Sequence, residues 1–317
     1  MIRRGFTIVE LLIVIVVIGI LVAIIVVSYK GITESALQSQ VKANATELAQ
    51  ALSTYKVSNS NGENYPLGTN NGGSISNLRT LANIPNSIEV DAYLTDPSGN
   101  NYCITTTSNA GSVTSAYSVS STASTPIRGV CVENLILNPK PYGSASNLCT
   151  VTTSDGATCV LSSDKSNPYV TITTTDNTKD SGWETWSRVG DYSLSYLFAS
   201  VDVKGNGSVK TSRTDSVQEN GGSWRSLLVV VFWPTTFSAN WTTYGAVSGL
   251  TPGDTWQSFR FFARGGSNVG DSLVYRYFML VKTSTISEYS YGDGDSAGWF
   301  WTGPPNNSTS IGPAVVQ

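Results

Sequence analysis

The chain has 317 residues, only 13% of them charged, and a formal net charge of −3. It contains no histidine, which removes the commonest general base and metal ligand and makes a Ser-His-Asp triad impossible. With 19 basic residues against 22 acidic ones, it lacks the clustered Lys and Arg of an electrostatic nucleic-acid surface, and no nucleic-acid partner is expected.

The first element is apolar. Arg3 and Arg4 precede Gly5, and from Leu11 to Val27 no residue is polar, a helix of roughly 25 Å, just enough for a bilayer core. One carboxylate, Glu10, sits early in the run. In lipid it costs about 2.5–3.5 kcal/mol at mid-helix, so it needs a partner. A plain anchor gives no reason for Glu10, and Ala23-Ile24-Ile25 is not the small-x-small site of an ordinary signal peptide. The segment resembles the class III signal of type IV pilins and pseudopilins. That resemblance implies a cut by prepilin peptidase between Gly5 and Phe6, methylation of Phe6, and retention of the helix as a filament core. Glu10 would then meet the positive N-terminus of a neighbouring pilin subunit. It also implies one pass through the inner (cytoplasmic) membrane with Arg3 and Arg4 inside, followed by assembly into an extracellular filament at the cell surface. The proline many pilins carry partway along this helix is replaced by Val27.

The helix is expected to continue in solution. Leu37, Val41, Ala45, Leu48, Leu52 and Tyr55 recur at steps of three and four, drawing one apolar stripe, and the Asn/Gly-rich stretch 58–62 ends it. Residues 61–101 read as loop with a short helix near 75–82. Alternation at 102–107 and 116–120, with a third run at 127–132, predicts strands. A long helix on a small antiparallel sheet resembles a pilin headpiece. Four cysteines (Cys103, Cys131, Cys149, Cys159) fit an exported chain with two disulfides. Of three pairings, Cys103–Cys131 and Cys149–Cys159 are preferred because each closes a loop within one domain.

At Glu133 the texture changes. All eight tryptophans lie beyond it, no helical period appears, and strand-like runs are expected at 169–175, 193–204, 226–233, 256–264 and 273–282. The opening Glu133-Asn134-Leu135-Ile136-Leu137-Asn138-Pro139 and the turn at 249–255 resemble carbohydrate-binding-module-like jelly rolls, and the terminal Tyr291-Gly292-Asp293-Gly294-Asp295 with Gly298-Trp299-Phe300-Trp301 resembles the end of jelly-roll domains of phage tail and bacterial surface proteins. The expected fold is therefore an α+β pilin module followed by an all-β jelly-roll sandwich: leader 1–5, transmembrane or filament-core helix 6–30, headpiece 31–132 and sandwich 133–317. A near-absent linker seats the sandwich directly on the headpiece.

On strand 256–264, Gln257, Phe259, Phe261 and Ala263 make the natural core face; Trp256, Ser258, Arg260, Phe262 and Arg264 make a face of aromatic plate and donors suited to stacking and bonding a sugar. On 193–204, Leu197, Ala199, Val201 and Val203 face inward, opposite Tyr196, Phe198, Ser200 and Asp202. Trp183 and Trp186, beside Glu184, and Trp241 with Tyr244 are placed in polar loops, as glycan-contact candidates or caps on an open core. Trp224 and Trp233 are expected in the core. Asp293 and Asp295 could give oxygens to a structural calcium ion or merely shape a turn; no other cofactor is expected. Acidic pairs such as Asp176/Asp180 or Glu184/Asp191 read as solvated surface rather than a glycosidase dyad, so no enzyme is expected. The functional expectation is a large minor pilin, or tip subunit, that displays its sandwich to bind a glycan or another surface. The alternative is a pseudopilin of a type II secretion-like system whose extra domain meets cargo or partner subunits.

Overall fold

The structure, a computed structural model, describes residues 8–58, 64–108, 116–137, 140–141, 156–178, 182–186, 196–206, 215–219, 224–225, 237–249, 256–283, 290–305 and 308–315, with backbone alone at 10, 26–30, 182–186, 196, 215–219, 224–225, 246–249, 256–264 and 283. Helix α1 (Ile8–Ser58) is one continuous rod. Its second half buries the expected stripe: Val41, Ala45, Leu48 and Leu52 are buried, with Leu37 and Tyr55 half-buried at its ends. Helix α2 (Ile75–Leu81) begins where the Ser74 hydroxyl accepts the Asn77 N–H at 3.1 Å, a side-chain cap for an orphan donor.

Strands β1 (Val90–Thr95), β2 (Tyr102–Thr106), β3 (Tyr117–Ser120) and β4 (Ala123–Arg128) form an antiparallel sheet in that order. Tyr93, Ile104 and Val119 pack with Leu48 and Leu52 of α1 and Leu78 of α2. Strand β1 corrects the reading of 61–101 as loop. The Asp96 carboxylate, which accepts the N–H groups of Ser98, Asn100 and Asn101, turns β1 into β2.

The run 127–132 is broken rather than a single strand. Gly129 has φ +137°, and a Cβ there would stand 2.4 Å from the Ala314 carbonyl oxygen. The chain swings at this glycine from β4 into β5 (Val130–Asn134), which joins a second sheet of order β15–β16–β5, where β15 is Phe300–Trp301 and β16 is Ser310–Ala314. The Cys103–Cys131 disulfide ties β5 to β2. Cys159 is also disulfide-bonded; Cys149 lies outside the described residues.

Between β5 and β15 the chain builds two further antiparallel sheets. One has the order β12–β9–β14–β7–β6, from β6 (Ala157–Leu161), β7 (Val170–Thr174), β9 (Tyr196–Asn206), β12 (Thr242–Gly249) and β14 (Ser272–Thr283). The other has the order β11–β10–β13–β8, from β8 (Gly182–Trp186), β10 (Asp215–Glu219), β11 (Trp224–Arg225) and β13 (Trp256–Arg264). Leu197, Ala199, Val201 and Val203 of β9 enter a core with Ile136, Ile172, Leu273, Tyr275, Phe278 and Leu280. The expected strand 226–233 and Trp233 lie outside the described residues.

The outward residues of β9 are not all solvated. Phe198, with Met279, Val281 and Trp299, packs on Ala116, Val130, Val132 and Ala314. Strands β9 and β14 therefore share a core with β5 and β16. The boundary at 132/133 falls inside β5, whose Val132 pairs with Gly312. The sandwich is an insertion between two strands of one sheet, not an appendix behind it.

Candidate assembly and ligand-binding surfaces

Gly5 and Phe6 lie outside the described residues; Glu10 is on α1. Residues 11–25 of α1 are exposed and apolar all round, Val17 at 48% and Leu11 at 63% of full accessibility. A helix apolar on every side is stable only when something covers it. Among the described residues no helix is long and apolar enough to cross a membrane; stretch 11–25 is about 22 Å, and the expected span runs on into 26–27.

The tryptophans expected in loops prove to be on or beside strands. Trp183 and Trp186 belong to β8, where they pair with Ala263 and Arg260 of β13; Trp256 and Arg260 belong to β13 as expected. Tyr244 lies within β12. Its ring meets Phe237 edge-on at 5.7 Å and packs against the sandwich core, so the structure gives it a core role. Trp241 immediately precedes β12, and its ring is flanked by cations: Arg276 Cζ lies 4.0 Å and Lys204 Nζ 4.7 Å from its centroid.

Arg276 is held from several sides. Its Nε donates to Asp202 Oδ2 at 3.2 Å, and its Cζ lies 4.4 Å from the Tyr277 ring. The Thr243 hydroxyl donates to Asp202 Oδ1 at 2.6 Å, which fixes the carboxylate. Antiparallel register makes this inevitable, since Asp202 faces both Thr243 and Arg276 across its two ladders. Just beyond, the β9–β14 register slips between Arg276 and Met279, and Tyr277 adopts φ 58°, a conformation that L residues other than Gly, Asn and Asp rarely take. The bulge returns Phe278 to the core and stacks Tyr277 on Tyr291 at 4.6 Å. Sequence reasoning placed Asp202 on the outer face but missed Arg276 and Lys204; alternating charges on two expected strands were the available signal.

From Tyr291 the ladder runs into a polar knot. The Tyr291 hydroxyl donates to Asp293. Lys140 Nζ lies 3.0 Å from Asp293 Oδ1 and 3.2 Å from Asp295 Oδ2, and the Trp301 indole N–H donates to Asp295 Oδ1 at 3.1 Å. Burial pulls the Lys140 ammonium down, but Asp293 and Asp295 outweigh it and hold the group above the ordinary lysine value. Burial pushes Asp295 up; the Trp301 N–H and the Lys140 charge outweigh that and hold it below the usual carboxylate range. Burial, then the Asp293 charge, lifts the Tyr291 phenol well above its ordinary value. Asp293 and Asp295, read from the sequence as oxygens for a calcium ion or as a plain turn, both face the Lys140 ammonium.

The prokaryotic N-terminal methylation motif matches residues 1–26. The type II secretion system core protein G of Escherichia coli (strain K12) is 33% identical over 107 residues, covering 32% of this chain and 71% of that protein. The core protein G of Aeromonas hydrophila is 33% identical over 104 residues with the same coverage. Among solved structures, one described as "CBM4 structure and function" covers 42% of this chain and 81% of its own at 13% identity and a TM-score of 0.31. A carbohydrate binding module of family 29 covers 48% and 89% at 12% identity and a TM-score of 0.29. Likenesses this distant carry no argument about a ligand.

Proposed function

Because the chain belongs to the family of the type II secretion system core protein G, we propose that it is a filament subunit: a large minor pilin, at or near a tip, whose helix α1 packs among other subunits and whose sandwich is displayed outside. Prepilin peptidase removes Met1–Gly5 and methylates Phe6, the apolar helix holds the chain in the inner membrane before assembly, and Glu10 meets the new N-terminus of a neighbour. The observation that carries this reading is the exposed apolar half of α1 (residues 11–25) on the same rod whose other half is the headpiece core. A subunit so built buries one end of α1 among copies and holds the headpiece and its inserted sandwich at the other. The displayed sandwich binds a glycan or other surface ligand, and the chain performs no catalysis.

The test is to shear filaments from cells and identify this chain by mass spectrometry, with its mature N-terminus at Phe6 and its sandwich reachable by antibody on intact cells. The kinship with core protein G favours one second reading, a secretion pseudopilin whose sandwich contacts cargo. It predicts loss of secreted protein in the deletion strain and no antibody access on intact cells.

A further inference from the structure

Among the described residues, Lys204 Nζ and the two terminal nitrogens of Arg276 make no hydrogen bond or ion pair. They nevertheless converge on one indole, 4.7 Å and 4.0 Å from the centroid of Trp241. Two cations so placed repel each other, and among the described residues Asp202 alone pairs with either of them, spending its oxygens on Arg276 Nε and the Thr243 hydroxyl. Such a local positive excess stands out in a chain of net charge −3. Arg276 is not a loose surface arginine. Asp202 bonds it, Trp241 and Tyr277 lie against it, and the left-handed Tyr277 is part of that enclosure. The side-chain entropy of presenting its fork is therefore largely lost on folding rather than on binding, and aromatic walls strengthen whatever charge it meets.

We propose that Lys204, Arg276 and Trp241 form a binding site for the carboxylate of an acidic sugar, a uronate unit of a polysaccharide. The planar carboxylate matches the free end of the guanidinium, which can offer two parallel N–H donors. Lys204 adds charge, and the exposed part of Trp241 gives the pyranose an apolar neighbour. The acidic balance of the chain argues against a nucleic-acid backbone, which needs an extended basic track. The inference deepens the displayed-sandwich reading and rests on it only for the exposure of this face outside the filament.

The experiment uses the full chain in detergent with polygalacturonate, following tryptophan fluorescence and retention on immobilised polymer. Wild type should bind, more weakly as salt rises, and should bind the fully methyl-esterified polymer about tenfold less, since esterification removes the charge-assisted bonds. Arg276→Lys, which keeps charge but loses the fork, should weaken binding about tenfold. Lys204→Gln leaves the Asp202–Arg276–Thr243 bonds in place, so it tests the site even if Arg276 variants misfold, and it should weaken binding several-fold. No binding of polygalacturonate, equal binding of the ester, or unaltered binding by Lys204→Gln would overturn the proposal. So would equal binding of double-stranded DNA, which would signal attraction to any polyanion. Recovery of the same variants in sheared filaments would leave the subunit reading standing whichever way the sugar result falls.

Discussion

The side-chain oxygen of Asn134 accepts the backbone N–H of Leu280 at 3.1 Å, joining the last residue of β5 to the sandwich strand β14. The same oxygen accepts the Ile136 N–H, and the amide nitrogen donates to the Phe278 and Gly292 carbonyls, each at 3.2 Å. Asn134 is fully buried, so water cannot replace any partner. Asn134→Asp keeps the two accepted bonds but sets an oxygen against two carbonyls. It should destabilise the protein by about 3 kcal/mol or more at neutral pH. Urea unfolding of the full chain checks this; a change under 1 kcal/mol would show that the junction does not depend on this amide.

Lys140 governs a dependence on pH. Its raised value means that its ion pairs stabilise the fold fully below the unfolded lysine value and are lost as pH rises through the folded one. Asp295, held low, contributes above the unfolded aspartate value and is lost as pH falls through its folded value. Lys140→Met removes the lysine contribution and the Lys140 share of that of Asp295, whose bond from the Trp301 N–H stays, and leaves Asp293 buried without its cation. The variant should melt lower at pH 7, and the gap to wild type should narrow above about pH 10.5 and below about pH 4. Melting curves at pH 3, 7 and 11 decide; a gap constant across that range would contradict the linkage.

Reducing the Cys103–Cys131 bridge, or replacing both cysteines by Ala, should cost about 3–4 kcal/mol for a loop of this separation. Both sulfurs sit in a small cluster with Phe300 and Ile311, so the loss should be felt where β16 meets β5. Hydrogen exchange at Gly312 and Ala314, which pair with Val132 and Val130, is the local readout. Unchanged protection there would mean the bridge acts elsewhere.

Two substitutions separate processing from assembly. Gly5→Leu should leave Met1–Gly5 attached, read as an unprocessed mass. Glu10→Ala should be cleaved at Phe6 and enter the membrane more easily, having lost a charge costly in lipid, yet its recovery in sheared filaments should fall. Normal recovery of the Glu10→Ala chain would refute the pairing with a neighbour's N-terminus.

The local signals were legible in the sequence. Steps of three and four placed the stripe from Val41 to Leu52 in the core, alternation put Leu197, Ala199, Val201 and Val203 on the inner face of β9, and the preference for loops closed within one domain picked Cys103–Cys131 from three possible pairings. What escaped was decided at long range. Ser310-Ile311-Gly312-Pro313-Ala314 carries neither alternation nor strand propensity, and its proline is tolerated because β15 pairs only as far as Ile311. Nothing near it announces that it lies beside β5. Trp183 and Trp186 looked like loop residues because Gly, Glu and Thr surround them; pairing with β13 overrides that local preference. The cluster on Trp241 likewise needed a register, since Asp202 and Arg276 meet only when β9 and β14 are aligned.

The placement of β16 also orders events in time. Its partner β5 leaves the ribosome before any of the sandwich, whereas β16 emerges after all of it. Until then the exposed edge of β5 and the apolar faces of Val130 and Val132 have no cover. A chain interrupted anywhere within the insertion could fold α1 against β1–β4 but would present an unfinished sheet edge, a target for proteases and chaperones. Completion of the β15–β16–β5 sheet therefore depends on synthesis through the whole insertion.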